Sequence, residues 1–493
     1  MKAAALSLAA ILGFSPLAAA EKPNVIFILA DDLGYRELGC YGQERIETPR
    51  LDRLAAGGMR FTRAYSGNAV CAPSRCVLMT GRHPGHATVR DNASTEPEGQ
   101  HPLFASDVTL AESLKAAGYV CGAFGKWGLG NVWSEGSPNR QGFDRFFGYN
   151  CQSHAHSHYP ATLWNDGELF SLRNDPPVPG HEGLAPGADP GDPRSYDRFK
   201  GRDYAPDRIH EQALKFLRDH RDRPFFLYYP SIIPHVALHI PDEELAPYLE
   251  KKWNDPPFTR EGGKGYTPHF TPRAAYAAMV TKLDTQVGEL VDLVEELGLS
   301  RRTLIVFSSD NGTTHLRDEV DAEFFNSVGE LRGLKGELHE GGIRVPQIAR
   351  WPGTIPEGGT SDRVTGFEDW LPTILDLAGV SATAPEGLDG VSFAPTLRGE
   401  GQEPRSFLYR EYPGYGGQQS VWLGQRWKGI RTNLKKKGVK PDLTVRLYDL
   451  EADPSESGDL AAAHPDVVRE IEALMKSQRV PSDAFPFPVL DGE

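Results

Sequence analysis

At 493 residues the chain exceeds one ordinary core, so a large domain with a smaller second one is expected. Hydrophobic residues make up 39% and charged ones 24%, with 52 Gly and 39 Pro, a loop-rich composition that still excludes disordered and fibrous chains. Lys and Arg number 53 against 67 Asp and Glu, and the net charge of -14 repels nucleic acid and anionic lipid, so an anionic substrate needs a local basic pocket.

Lys2 precedes an apolar run from Ala3 to Ala20, broken at Ser15-Pro16 and closed by Ala18-Ala19-Ala20. This is the order of a secretory signal peptide over residues 1–20, with a signal anchor as the other reading. The break and the alanine triplet favour cleavage and a periplasmic or secreted protein, with no membrane contact afterwards. Asn24 to Ala30 is a continuous apolar run of the kind that forms a buried parallel strand, and it ends at Asp31-Asp32. Thr48-Pro49 opens a helix that Gly57-Gly58 stops. Thr109 begins another, followed by a strand from Tyr119 to Phe124 that runs into Gly125-Lys126.

Pro224 to Tyr229 is a third strand, leaving through Pro234-His235 after a helix that carries Ile209, Ala213, Phe216 and Leu217. Thr271-Pro272 starts the clearest helix, which runs to Gly298; a strand from Thr303 to Ser309 then ends at Asp310-Asn311. The stretch from Asp175 to Tyr204, dense in Pro, Gly and Asp, reads as a surface insertion. After about residue 400 the pattern changes to short strands, Ser406 to Tyr412, Ser420 to Leu423, Trp427 to Arg431 and Val445 to Tyr448, and a helix from Pro465 to Lys476. The predicted fold is therefore α/β: a mostly parallel sheet sandwiched by helices over residues 21–400, then a small antiparallel sheet plus helix over 401–493. In such sheets ligands bind beyond the carboxyl ends of the strands, where Asp31, Asp32, Lys126, His235, Asp310 and Asn311 all fall.

Five cysteines, Cys40, Cys71, Cys76, Cys121 and Cys151, are too few and too scattered for a disulfide framework, and an odd number leaves at least one unpaired. Pro73 places Cys71 at a helix N-terminus, where the dipole argument predicts a lowered thiol pKa. The run Cys71-Ala72-Pro73-Ser74-Arg75, continued by Thr80-Gly81-Arg82, resembles the signature of the formylglycine-dependent sulfatases, members of the alkaline-phosphatase-like superfamily. The resemblance extends from about Pro23 into the C-terminal region.

It implies that a formylglycine-generating enzyme oxidises Cys71 to formylglycine, and that a sulfate ester, most simply of a carbohydrate, is hydrolysed. It implies metal binding by Asp31, Asp32, Asp310 and Asn311, with the modified Cys71 joining them, and Ca2+ or alternatively Mg2+ as the ion. By the same resemblance Lys126 and Lys335 clamp sulfate, Arg75 orients the nucleophile and His235 protonates the leaving oxygen. Gly128 stands where many sulfatases have a histidine that helps abstract a proton. His154 and His156, in an alternating run that includes His158, are candidates for a substrate contact or for that base. Trp164-Asn165-Asp166 and Arg410-Glu411-Tyr412 read as sugar-contacting loops, with Glu411 the candidate group. Rival readings are a phosphodiesterase or phosphonate hydrolase of the same superfamily and an inactive glycan-binding relative.

Overall fold

The computed structural model describes residues 22–492, so the expected signal peptide lies outside the described residues. In chain order the strands are β1 Asn24–Ala30, β2 Met59–Phe61, β3 Ala64–Tyr65, β4 Val120–Lys126, β5 Arg145–Tyr149, β6 Thr162–Asn165, β7 Glu168–Ser171, β8 Phe225–Pro230, β9 Thr303–Ser309, β10 Gln347–Arg350, β11 Gly359–Ser361 and β12 Thr365–Gly366. β13 Phe407–Tyr412, β14 Gln418–Leu423, β15 Trp427–Arg431 and β16 Arg446–Asp449 follow. Ten of them form one sheet in the order β11-β2-β10-β9-β1-β8-β4-β5-β6-β7. The central five, β9-β1-β8-β4-β5, are parallel.

β1 is apolar at every position after Asn24 because both of its faces are covered. Val25, Phe27 and Leu29 pack with Val77, Leu110 and Leu371, from helices on one side of the sheet. Ile26 and Ile28 pack with Ala213, Phe216, Leu283 and Val287, from the helices Ala205–His220 and Pro272–Glu296 on the other. The stretch read as a surface insertion is more than that: it sends Val178, Tyr196, Phe199 and Tyr204 into this second core layer. Its Pro, Gly and Asp content masks four buried apolar residues too widely spaced to show a period.

The last four strands form an antiparallel sheet. One face takes Ile471 and Met475 of the helix Pro465–Ser477 against Tyr409, Val421 and Leu447. The other packs Leu408, Trp422 and Ile430 on Ala69, Val70, Leu338 and Ile343, which precede it in the chain. Arg410-Glu411-Tyr412 is thus part of β13 and buried, not a loop.

Buried ion pairs cross this junction. Both guanidinium ends of Arg410 donate to the two oxygens of Glu368 at 2.9 Å, with neither side chain exposed. Glu340 accepts from Trp422 Nε1 at 3.0 Å and from Lys428 Nζ at 3.1 Å. Removing one member of such a pair leaves an uncompensated buried charge. Arg410→Ala should therefore lower stability by roughly 3 kcal/mol or more in denaturant unfolding, while Arg410→Met with Glu368→Leu should cost much less.

Candidate active site

Parallel strands deliver their carboxyl ends to one edge of the sheet. β1 and β9 are neighbours with Ala30 opposite Ser309, so Asp31-Asp32 and Asp310-Asn311 emerge side by side. Asp32 turns the chain with a left-handed φ of 67°, and its N–H donates to Asp310 Oδ1 at 3.2 Å. Asn311 Nδ2 donates to Asp32 at 2.7 Å, which leaves Asn311 Oδ1 buried without a partner.

Three buried cations face these carboxylates. Lys126, the last residue of β4, lies 2.7 Å from Asp31. Arg75, one turn into the helix Cys71–Thr80, lies 2.8 Å from Asp310 and 3.3 Å from Asp31, and also donates to the Lys126 carbonyl. Lys335, whose N–H bonds the Thr313 carbonyl, lies 2.8 Å from Asp32. Burial alone would raise Asp31, but the charges of Lys126, His235, Arg75 and Lys335 outweigh it and hold the carboxyl below its usual range. Asp310, pushed up to about 6 by burial and by Asp31 beside it, carries the strain of the crowding.

Cys71 opens its helix with Sγ 3.4 Å from Asp31 and 3.6 Å from Lys335 Nζ. The lowered thiol that the helix terminus predicts is not found: burial first, then the Asp31 carboxylate, pushes it up to about 12. The next N–H of the helix, that of Ala72, is taken by Asn92 Oδ1 at 3.0 Å.

Histidines form one wall. His235 follows β8, donates from Nδ1 to the Val236 carbonyl and sets Nε2 3.7 Å from Asp32. Burial, then Lys335, lowers its pKa well below the usual imidazole value. His156 stacks on it, with ring centroids 5.4 Å apart and planes 5° from parallel. His181 Nδ1 can only donate to the Gly265 carbonyl at 3.1 Å, so its Nε2 accepts from His156 Nδ1 at 2.8 Å. That relay leaves His156 Nε2 as an acceptor. Burial, then the His235 and Lys126 charges, depresses His156 to about 2 and keeps it neutral.

These groups surround a cavity of about 220 Å³ that Asp32, Cys71, Lys126, His156, His235 and Lys335 line together. A larger, mostly apolar cavity of about 420 Å³, beside Tyr196, Phe199 and Leu238, contains none of them. Two sequence candidates lie elsewhere. Glu411 is not at the cavity: only 1% exposed, it binds Arg90 at 2.8 Å and Arg479 at 3.0 Å from within the C-terminal sheet, away from the cavity lining. His154 turns to Glu98 at 3.2 Å, which also accepts from Trp164 Nε1, and His158 is buried against Tyr204 and His239.

Among the lining residues that the sequence reading missed are Asn92, Gln152, Tyr266, His315 and Tyr415. They come from separate loops with no shared spacing. Tyr415 alone carries a local signal, an aromatic isolated in Pro413-Gly414-Tyr415-Gly416-Gly417, and it stands 57% exposed at the mouth.

The buried cluster could hold a metal ion. Ligand atoms of Asp31, Asp32, Cys71 and His235 lie within 4.8 Å of one another, and Asn311 Oδ1 is a further oxygen without a partner.

A family model described as Sulfatase matches residues 23–380, and one described as N-sulphoglucosamine sulphohydrolase, C-terminal, matches residues 334–480. Arylsulfatase A of Homo sapiens is 34% identical over 97% of this chain and 92% of its own. N-acetylgalactosamine-6-O-sulfatase of Bacteroides thetaiotaomicron is 29% identical over 93% of each. Among solved structures, Ps i-CgsB in complex with k-i-k-neocarrahexaose superposes with a TM-score of 0.73 at 26% identity over 92% of both chains. Phosphonate monoester hydrolase of Agrobacterium radiobacter, with a TM-score of 0.63 at 21% identity over 93% of this chain and 95% of its own, shares the fold. With the family model spanning most of the chain and a relative at 34% identity across nearly all of it, this protein belongs to the sulfatase family.

Proposed function

We propose that this sulfatase hydrolyses sulfate esters of carbohydrates, in the periplasm or after secretion, with a formylglycine made from Cys71 and one hard divalent cation, Ca2+ or alternatively Mg2+. One observation carries the reading: Cys71 lines a small cavity between Asp31 and Lys335, with a thiol at about 12 that is of little use as a thiolate. Oxidation by a formylglycine-generating enzyme would supply a hydrated aldehyde as oxygen nucleophile, and a cation on Asp31, Asp32, Asp310 and Asn311 would supply Lewis acidity.

The remaining work falls to the chain's own side chains. Lys126 and Lys335 are the local positive charge that an acidic protein needs to hold a sulfate ester. Arg75 ties the helix of Cys71 to Asp310 and Asp31, and so orients the nucleophilic position. His235 Nε2 is the atom that would hold the proton for the leaving oxygen. Lys335 opposes that proton, and the negative charge of a bound ester offsets Lys335.

Carbohydrate is favoured over aryl and steryl sulfates by the polar wall of His156 and Asn92, and by the sugar substrates in the names of N-acetylgalactosamine-6-sulfatase relatives. His156 Nε2 is assigned to accept from a sugar hydroxyl. Export accords with the signal-like N-terminus, and among the described residues no helix is long and apolar enough to cross a membrane.

Peptide mass spectrometry of protein from a host with the maturation enzyme should find the aldehyde at position 71, and Cys71→Ala should be inactive. Intact thiol alone in fully active enzyme would overturn this reading. Elemental analysis should find one calcium or magnesium per chain. Metal removal should abolish turnover, and Asp310→Ala should cut it by roughly two to three powers of ten or more. His156→Ala should reduce kcat/KM on a sulfated saccharide by roughly tenfold, the worth of one hydrogen bond, while a simple aryl sulfate is much less affected. Equal losses on both would make His156 the base instead.

A further inference from the structure

Gln152 stands out among the cavity's lining residues. It is 5% exposed, yet neither its amide nitrogen nor its amide oxygen has a hydrogen-bond partner. A buried carboxamide left unpaired costs roughly 1–3 kcal/mol per group, so a fold keeps one only where something else satisfies it.

The backbone makes room for this side chain. After β5 the chain continues alongside the segment following β4, with the N–H of Trp127 donating to the Tyr149 carbonyl at 2.9 Å and that of Gly128 to the Asn150 carbonyl at 3.0 Å. This register lays the Gln152 amide over Gly128. A Cβ at position 128 would meet Gln152 Nε2 at 2.3 Å, and Gly128 holds a φ of 79° that other residues rarely adopt. Any side chain at 128 would displace the amide, so the glycine and the glutamine form one feature.

Resting on the sulfatase reading above, we propose that the Gln152 carboxamide is a substrate-binding group that donates from Nε2 to an oxygen of the bound sulfate ester. Three arguments support it. The cavity, at about 220 Å³, lies below the range of roughly 300–1,000 Å³ typical of sites for drug-sized ligands, so it takes the sulfate and little beyond the ring that bears it. Lys126 and Lys335 line the same small volume and fix where the anion sits. A neutral amide adds a directed N–H without further positive charge beside Arg75, Lys126 and Lys335, which already match the three carboxylates. Asn150, two residues earlier and also without partners for its amide, does not line the cavity; a water shared by the two amides is the competing explanation, and it gives Gln152 no role toward substrate.

The test compares Gln152→Leu and Gln152→Glu with wild-type protein. Leucine is close in size and removes an unsatisfied group, so the unfolding midpoint should hold or rise. KM should rise by about tenfold to a hundredfold on a simple aryl sulfate and on a sulfated saccharide alike, with kcat little changed, as for a contact equally strong before and during reaction. Inorganic sulfate, titrated calorimetrically into full-length Cys71→Ala protein, should bind more weakly by a similar factor when Gln152→Leu is added. Gln152→Glu, which opposes the anion with a charge, should be worse than leucine in both measurements. Unchanged KM and sulfate affinity in the leucine variant would overturn the proposal, as would a loss confined to the saccharide. Wild-type protein inactive on every sulfate ester would remove the sulfatase reading itself; active wild type with indifferent Gln152 variants would remove only this inference.

Discussion

Three carboxylates cannot share a dry interior unless countercharge is built in beside them. Asp31, Asp32 and Asp310 are forced together because β1 and β9 are parallel neighbours in register, and the sheet leaves their exits nowhere to diverge. Arg75, Lys126 and Lys335 answer them from a helix, a strand end and a loop that are far apart in the chain. The position of Cys71 follows from this neutralisation. Arg75, bound to Asp310 and Asp31, pins the helix one turn after Cys71, which holds the sulfur against Asp31.

The C-terminal sheet takes part in that arrangement. Gln418 of β14 donates from Nε2 to the Gly336 carbonyl at 2.7 Å and accepts the Leu338 N–H at 2.9 Å, bracing the loop that carries Lys335. The Gly336 N–H in turn donates to the Ala69 carbonyl at 2.9 Å, two residues before Cys71. Tyr415, from the turn between β13 and β14, reaches the cavity mouth and meets His315 edge-on at 5.1 Å. The C-terminal sheet is thus tied toward Cys71 through the Gln418 side chain as well as by buried ion pairs.

The histidine wall works by exclusion. Burial and nearby ammonium groups keep His156 neutral, and a fixed chain of hydrogen bonds from Gly265 through His181 decides which of its nitrogens is free. A neutral His156 beside two lysines adds an acceptor to the cavity without adding charge.

The sequence alone determined the strand and helix alternation, the sheet edge where the site lies, and the motif that marks Cys71 and Arg75. Apolar periodicity and capping residues act over a few neighbours, so β1, β9 and the helix Pro272–Glu296 were legible from their own residues. β6 and β7, short and antiparallel at the sheet's end, carry no such pattern, and β7 is exposed along its length. Glu411 resembled a sugar-binding carboxylate, but its environment is set by Arg90 and Arg479, 321 and 68 residues away. The unpaired amide of Gln152, the tautomer of His156 and the place of Tyr415 at the mouth were likewise decided by tertiary structure. A polar side chain's role depends on which distant groups surround it and how far water is excluded, and neither quantity is encoded in the residues adjacent to it in the chain.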